Sequence, residues 1–99
     1  MTILHITNKL AWEAAQHAGV YTAPSLATEG FIHFSTPEQV QWVAQRFYAG
    51  QPDLLLLEVD PAHLSAELRY EESEPGQWFP HLYGPLNLDA VRAVHPFSI

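Results

Sequence analysis

The chain contains no cysteine, only four lysines and arginines, and a single methionine. It also has no apolar run approaching the roughly eighteen residues of a membrane span. Without cysteine there can be no disulfide framework, no thiolate metal site and no cysteine nucleophile. Eleven carboxylates against those four basic groups give a formal net charge of −7. Proteins hold phosphate backbones and anionic lipids through clusters of basic side chains, so large nucleic acids and membranes are poor partners for this chain. Glycine-rich phosphate loops are missing, and no serine lies in a nucleophile-elbow sequence, which disfavours a serine hydrolase. The start, Met1-Thr2-Ile3-Leu4-His5-Ile6, has no basic stretch followed by a long apolar one, so the expected location is the cytoplasm.

What the chain does have is apolar material: 47% apolar residues and 12% aromatics over 99 residues. That is enough to build one core without a metal or a disulfide, and residues 1–99 are expected to form one domain. Thr2 to Ile6 alternates as a strand and sends His5 to the face opposite Leu4 and Ile6. Thr7 or Asn8 then caps a helix over Lys9 to Ala18, with Leu10, Ala11, Ala14, Ala15 and Ala18 as its apolar stripe, Trp12 at its edge and Gly19 closing it. Val20 to Glu29 reads as a connecting loop, and Gly30 opens a short strand, Phe31 to Phe34, in which Phe31 and His33 share a face.

A second helix starts from Thr36 as cap, Pro37 at the first helical position and Gln39 completing a capping box; Val40, Val43, Ala44 and Phe47 form its inner face, and Gly50 ends it. Leu54 to Val59 is the pattern of a central strand buried on both faces. Leu68 to Glu72 is a further strand, Ser73 to Gly76 a turn, and Ala90 to Val94 a last strand. The fold class predicted is α+β, a small, mostly antiparallel sheet with two main helices.

Six histidines are the chemical signal. His17, His63 and His95 lie in exposed-looking segments. None of the six shows the i, i+4 or His-x-His spacing that places two metal ligands together without help from the fold, so no metal ligands are assigned and a His-ligated metal enzyme is the weakest of the readings. His5 and His33 sit in apolar strands, where an imidazole costs free energy unless it is hydrogen-bonded or faces a wet cleft. His81 lies in Trp78-Phe79-Pro80-His81-Leu82-Tyr83-Gly84-Pro85, a stretch suited to walling a small-molecule pocket. Strand alternation puts Arg69 and Glu71 on one face, either as a surface ion pair or directed to the same cleft.

The segments TILHIT, WEAAQHAGVY, SLATEG, GFIHFST, RFYAG, DLLLLEVD, LRYE and FPHLYGPLNLDAV, in this order and spacing, resemble the bacterial family of domain of unknown function 952. That resemblance covers nearly the whole chain and implies an ADP-ribosyltransferase-like fold, a split sheet whose cleft grips NAD. It places His5 at the first ligand-facing position and His33, with Ser35, at the second, a His/His pattern similar to the tRNA 2′-phosphotransferase branch. The late catalytic glutamate of that superfamily has no counterpart after Gln77, which leaves Asp89, or Glu71 or Glu72 from an earlier strand.

The site expected from residues and resemblance together has His5, His33 and Glu71 as its chemical groups. Ser35, Arg69, Phe79, His81 and Tyr83 hold the ligand. NAD or an ADP-ribose-like nucleotide is the expected substrate, with transfer or hydrolysis at the anomeric carbon. The other reading is a non-catalytic module that senses a metabolite or docks a partner protein through Trp78-Phe79-Pro80.

Overall fold

A computed structural model describes all of residues 1–99. Its strands are β1 (Ile3–Asn8), β2 (Val20–Tyr21), β3 (Ile32–His33), β4 (Leu54–Val59), β5 (Glu67–Glu74), β6 (Gln77–Tyr83), β7 (Leu86–Asn87) and β8 (Val91–Pro96). Its α-helices are α1 (Lys9–Ala18), α2 (Pro24–Thr28) and α3 (Val40–Phe47), with single 3₁₀ turns at Pro61–His63 and Leu88–Ala90. The class is α+β, and every strand pairing is antiparallel. No helix is long and apolar enough to cross a membrane.

The sheet is divided. One part runs β1-β4-β8, another β3-β6-β5, and β2-β7 makes a small third ladder. The two larger parts meet at one rung, where Leu4 and Ser35 exchange backbone hydrogen bonds of 2.8 and 2.7 Å. Leu54–Val59 is central in its sheet, as its apolar run predicts.

Alternation along β1 and β4 feeds two cores. Ile3, Leu57 and Val59 face Ala15 of α1, Tyr21, Ile32, Phe34, Leu82, Leu86 and Ala90. Leu4, Ile6 and Leu54 face Val40 and Ala44 of α3. Each fully buried aliphatic or aromatic side chain here contributes about 1.5–3 kcal/mol relative to exposure.

Several expectations need correction. The segment read as a loop, Val20 to Glu29, holds β2 and a third helix: Pro24 starts α2, and the Ser25 hydroxyl donates to the Phe31 carbonyl at 2.7 Å, tying it to β3. The stripe of α1 was set about one position off, since Ala11, Trp12 and Ala15 pack inward while Leu10 is 79% exposed. Small alanines fit either face, so only the large Trp12 distinguishes them. Phe47 is likewise 60% exposed, at the end of α3, where it lies edge-on to Trp42 and borders a groove instead of the core. Gln39 does reach back to the Thr36 backbone N–H at 3.0 Å, but Pro37 to Gln39 form a turn and regular helix begins at Val40.

The strand β6 was hidden by Pro80, because proline lacks a ladder donor and argues against a central strand. It is tolerated here for a local reason. The N and C=O of a strand residue point to the same side, and the Pro80 carbonyl accepts from the Phe34 N–H at 2.9 Å, just beyond the end of β3. The missing donor therefore faces the point where the chain leaves β6 to join β1 at Ser35. That departure divides the sheet and opens a groove between its halves.

Candidate active site

The groove has a volume of about 740 Å³. His33, Ser35, Phe79, His81 and Ser73 form its floor and sides, and Trp42, Arg46 and Phe47 of α3 its opposite wall. A smaller recess of about 360 Å³, bordered by His5, Thr7 and Tyr21, shares Ile6, His33, Tyr48 and Gln51 with it. His33 thus stands at the junction of the two.

His5 is buried among Tyr21 and Phe34, with 4% of its surface exposed. Its Nδ1 lies 2.5 Å from the His33 carbonyl oxygen and its Nε2 lies 2.8 Å from the Tyr21 hydroxyl, which is itself 2.9 Å from Thr7 Oγ1. Burial lowers its pKa from 6.5 to about 4, against the opposing effect of the carbonyl, so the ring is neutral near pH 7. A neutral ring that donates Nδ1–H to a carbonyl must accept at Nε2. The Tyr21 hydrogen therefore points to His5, and the Thr7 hydroxyl donates to Tyr21. Both ring nitrogens are used inside the protein, which makes His5 an anchor for the His33 backbone and leaves no ring nitrogen for a ligand.

His33 is the reverse case. Its side chain is about half exposed, 3.1 Å from Glu29 Oε2. Its ring lies edge-on to Phe31 and His81, at centroid distances of 4.9 and 5.3 Å. The two histidines expected to face a ligand together thus meet ring to carbonyl, with only His33 presenting its ring to the groove.

His81 is the second imidazole in the groove wall. Strand register sets it beside His33 on one side and Arg69 on the other. Phe31 stacks on it at 4.1 Å and 16°, which keeps it 3% exposed. Its Nδ1 is 2.8 Å from Glu71 Oε1, and its Nε2 is 3.3 Å from the Ser73 hydroxyl. The same Glu71 oxygen accepts from the Tyr83 hydroxyl at 2.6 Å. The Tyr83 and His81 hydrogen bonds hold the Glu71 carboxyl below its usual pKa, and the same bond to Glu71 raises that of Tyr83.

The remaining expected residues divide. Glu71 and Tyr83 stand behind His81 rather than at the groove surface, and Arg69 pairs with Glu67 at 3.0 and 3.1 Å while lying over the Tyr83 ring, so it is not the partner of Glu71. Glu72 takes the Gly76 N–H in the β5–β6 turn, and Asp89 accepts from Asn87 in a 3₁₀ turn that does not border the groove. Alternation along β6 separates Trp78, 56% exposed, from Phe79, 7% exposed in the groove, so Trp78-Phe79-Pro80 is not one surface.

Sequence reasoning missed Ser73, Trp42, Arg46 and Tyr21. Ser73 was assigned to a turn, yet β5 continues to Glu74 with a register shift between Glu72 and Glu74 that leaves Ser73 as the extra, bulged residue. The Ser-Glu-Pro-Gly run masked this, and the only available signal was its strand-like distance from Glu71. No three His, Asp or Glu side chains converge as a metal-binding group.

The family described as "Protein of unknown function (DUF952)" matches residues 6–94. The chain belongs to that family. Among solved structures, the crystal structure of protein CC0527 from Caulobacter crescentus is 34% identical, with a TM-score of 0.92 over 100% of this chain and 88% of that one. A double-methionine variant of the same protein gives 33% identity and a TM-score of 0.92 with the same coverage. Its solution NMR structure gives 34% identity and a TM-score of 0.84 over 99% of this chain and 85% of that one. No curated protein matches the chain. Membership of the DUF952 family thus carries the fold, and function must be argued from the groove itself.

Proposed function

We propose that the groove binds a small nucleotide of the NAD or ADP-ribose class and serves transfer or hydrolysis at its anomeric carbon. The observation that carries this reading is the aromatic shelf made by Trp42 and Phe79, stacked at 6.3 Å and 26°, with the Arg46 guanidinium 5.4 Å over the Trp42 ring. A flat ring laid on such a shelf gains aromatic contact beyond its area burial, and a phosphate beside it meets a cation. On the same side as Phe79, the exposed His33 and the Ser35 side chain supply polar contacts for a ribose.

The divided antiparallel sheet also suits the ADP-ribosyltransferase-like arrangement that the sequence blocks resemble. In this reading His33 meets the ligand, His81 backs the groove wall beside it, and His5 positions His33. The carboxylates bordering the groove are Glu29, beside His33, and Glu74, beside Arg46, and in this reading they take the role expected of Glu71.

Calorimetric titration with ADP-ribose and NAD tests this, using wild type, Trp42→Ala and His33→Ala. Trp42 is 36% exposed, so its removal leaves the fold largely intact. The expected result is binding to wild type, weakened about tenfold or more in each variant, in keeping with loss of one well-placed contact. Absence of heat with both ligands at millimolar concentration would sink the reading. The exposed pair Trp78 and Tyr70 (56% and 44%), with Met1 against Tyr70, supports a partner-docking alternative on the opposite face, which Trp42→Ala would leave untouched.

A further inference from the structure

Ser73, His81 and Glu71 stand in the order nucleophile, base and orienting acid. We infer that they form a serine nucleophile relay that hydrolyses a small carboxylic ester entering the same groove, a serine hydrolase of the kind the missing nucleophile-elbow sequence argued against, tested separately from the nucleotide reading. Three observations point to it, beginning with the hydrogen positions. Glu71 Oε1, 2.8 Å from His81 Nδ1, is an ionised carboxylate near pH 7 and can only accept, so Nδ1 carries the hydrogen. With Nδ1–H engaged by Glu71, Nε2 is the ring nitrogen that faces the Ser73 hydroxyl, at 3.3 Å. That is the tautomer a general base requires, and the distance is in the range such contacts take before substrate tightens them.

The second observation is the backbone. Ser73 is the extra residue of the β5 bulge, a feature that re-aims a side chain out of the regular strand pattern. Its hydroxyl borders the groove while the histidine behind it is buried except where it meets that groove, so the nucleophile is open to substrate and the base is reached only from the nucleophile's side. The third is how firmly the acid is held: Tyr83 donates to the same Glu71 oxygen at 2.6 Å and Phe31 stacks on His81 at 4.1 Å, fixing both partners.

The chemistry balances with water as the only co-reactant. Ser73 Oγ bonds to the ester carbonyl carbon as its hydrogen passes to His81 Nε2. The tetrahedral intermediate collapses, the C–O bond to the alcohol breaks, and the alcohol leaves with the hydrogen from Nε2. Water then attacks the acyl-serine, giving one hydrogen to Nε2; the acyl C–Oγ bond breaks, and Ser73 regains its hydrogen as the carboxylic acid departs. Arg46, the one guanidinium lining the groove, pairs with Glu74 next to Ser73 at 3.6 Å, and turning from that carboxylate would bring it to the intermediate's oxyanion. In this relay Ser73 and His81 are the catalytic residues and Glu71 is a positioning residue.

The test exposes wild type, Ser73→Ala and Glu71→Gln to a fluorophosphonate probe, with the modified peptide located by mass spectrometry, and follows p-nitrophenyl acetate hydrolysis against pH. The expected result is a single adduct on Ser73, ester turnover reduced about 100-fold or more in Ser73→Ala, and a smaller reduction with a displaced pH profile in Glu71→Gln. Ser73 is exposed, so the alanine variant folds, and an unchanged melting temperature verifies it. Absence of an adduct on Ser73 at probe excess, or turnover retained in folded Ser73→Ala, would overturn the relay whatever the nucleotide titration gives.

Discussion

Each of the two three-stranded sheets buries a histidine almost completely, yet the two rings differ in what they can do. In β1, His5 is enclosed by the carbonyl of His33 and the hydroxyl of Tyr21, and no ionised group touches it. In β6, His81 has a carboxylate on one nitrogen and an exposed serine on the other. Burial is 4% exposure for one and 3% for the other, so exposure does not separate them. Partner chemistry does: neutral partners on both nitrogens make a structural clamp, whereas an acid on one side and an open hydroxyl on the other leave a proton path to the groove.

The comparison breaks most visibly if His5 is removed. His5→Ala leaves the His33 carbonyl and the Tyr21 hydroxyl facing a cavity, and a loss of about 3 kcal/mol is expected in urea unfolding. The pH dependence should be of similar size. Because the folded pKa of His5 is about 4 against 6.5 unfolded, the unfolded chain binds the extra proton between those values. Stability from this group is full above pH 6.5 and falls by about 3 kcal/mol as pH drops to 4, and His5→Ala should lack this limb.

Tyr21→Phe removes the donor to Nε2 and the partner of the Thr7 hydroxyl and should cost about 1–2 kcal/mol, with the same cooperative unfolding. The smallest effect sharpens the contrast from the other sheet. Glu71 has a depressed pKa, so its contribution is present above about pH 4.5 and is lost below it as the carboxylate protonates. Glu71→Gln should therefore leave the limb between about pH 6.5 and 4.5 intact and flatten only the part below, which melting curves across about pH 3 to 8 would separate.

The strands β1 and β4 were legible because each is a run of side chains whose period leaves one arrangement, whereas α1 was legible in its bounds, from Asn8 and Gly19, but not in its buried face. The site was half legible. His33 and His81 declared themselves as polar groups among apolar neighbours, but which face of a sheet each ring takes depends on register with a distant strand. His5 looked equivalent to His33 in sequence because nothing local shows that Tyr21, sixteen residues away, turns its hydroxyl onto it. Ser73 was out of reach for a related reason: a bulge is an offset between two strands, and one strand alone does not display it.

The rung between Leu4 and Ser35 has a mechanical consequence. Two backbone hydrogen bonds are the only ladder contact joining the half of the molecule that carries α3 and Trp42 to the half that carries His81 and Ser73. The seam is nonetheless held shut from behind, because Ile3, Leu57 and Val59 of one sheet pack in the same buried cluster as Ile32 and Leu82 of the other. His5, clamped to the carbonyl two residues before Ser35, is the bolt on that seam.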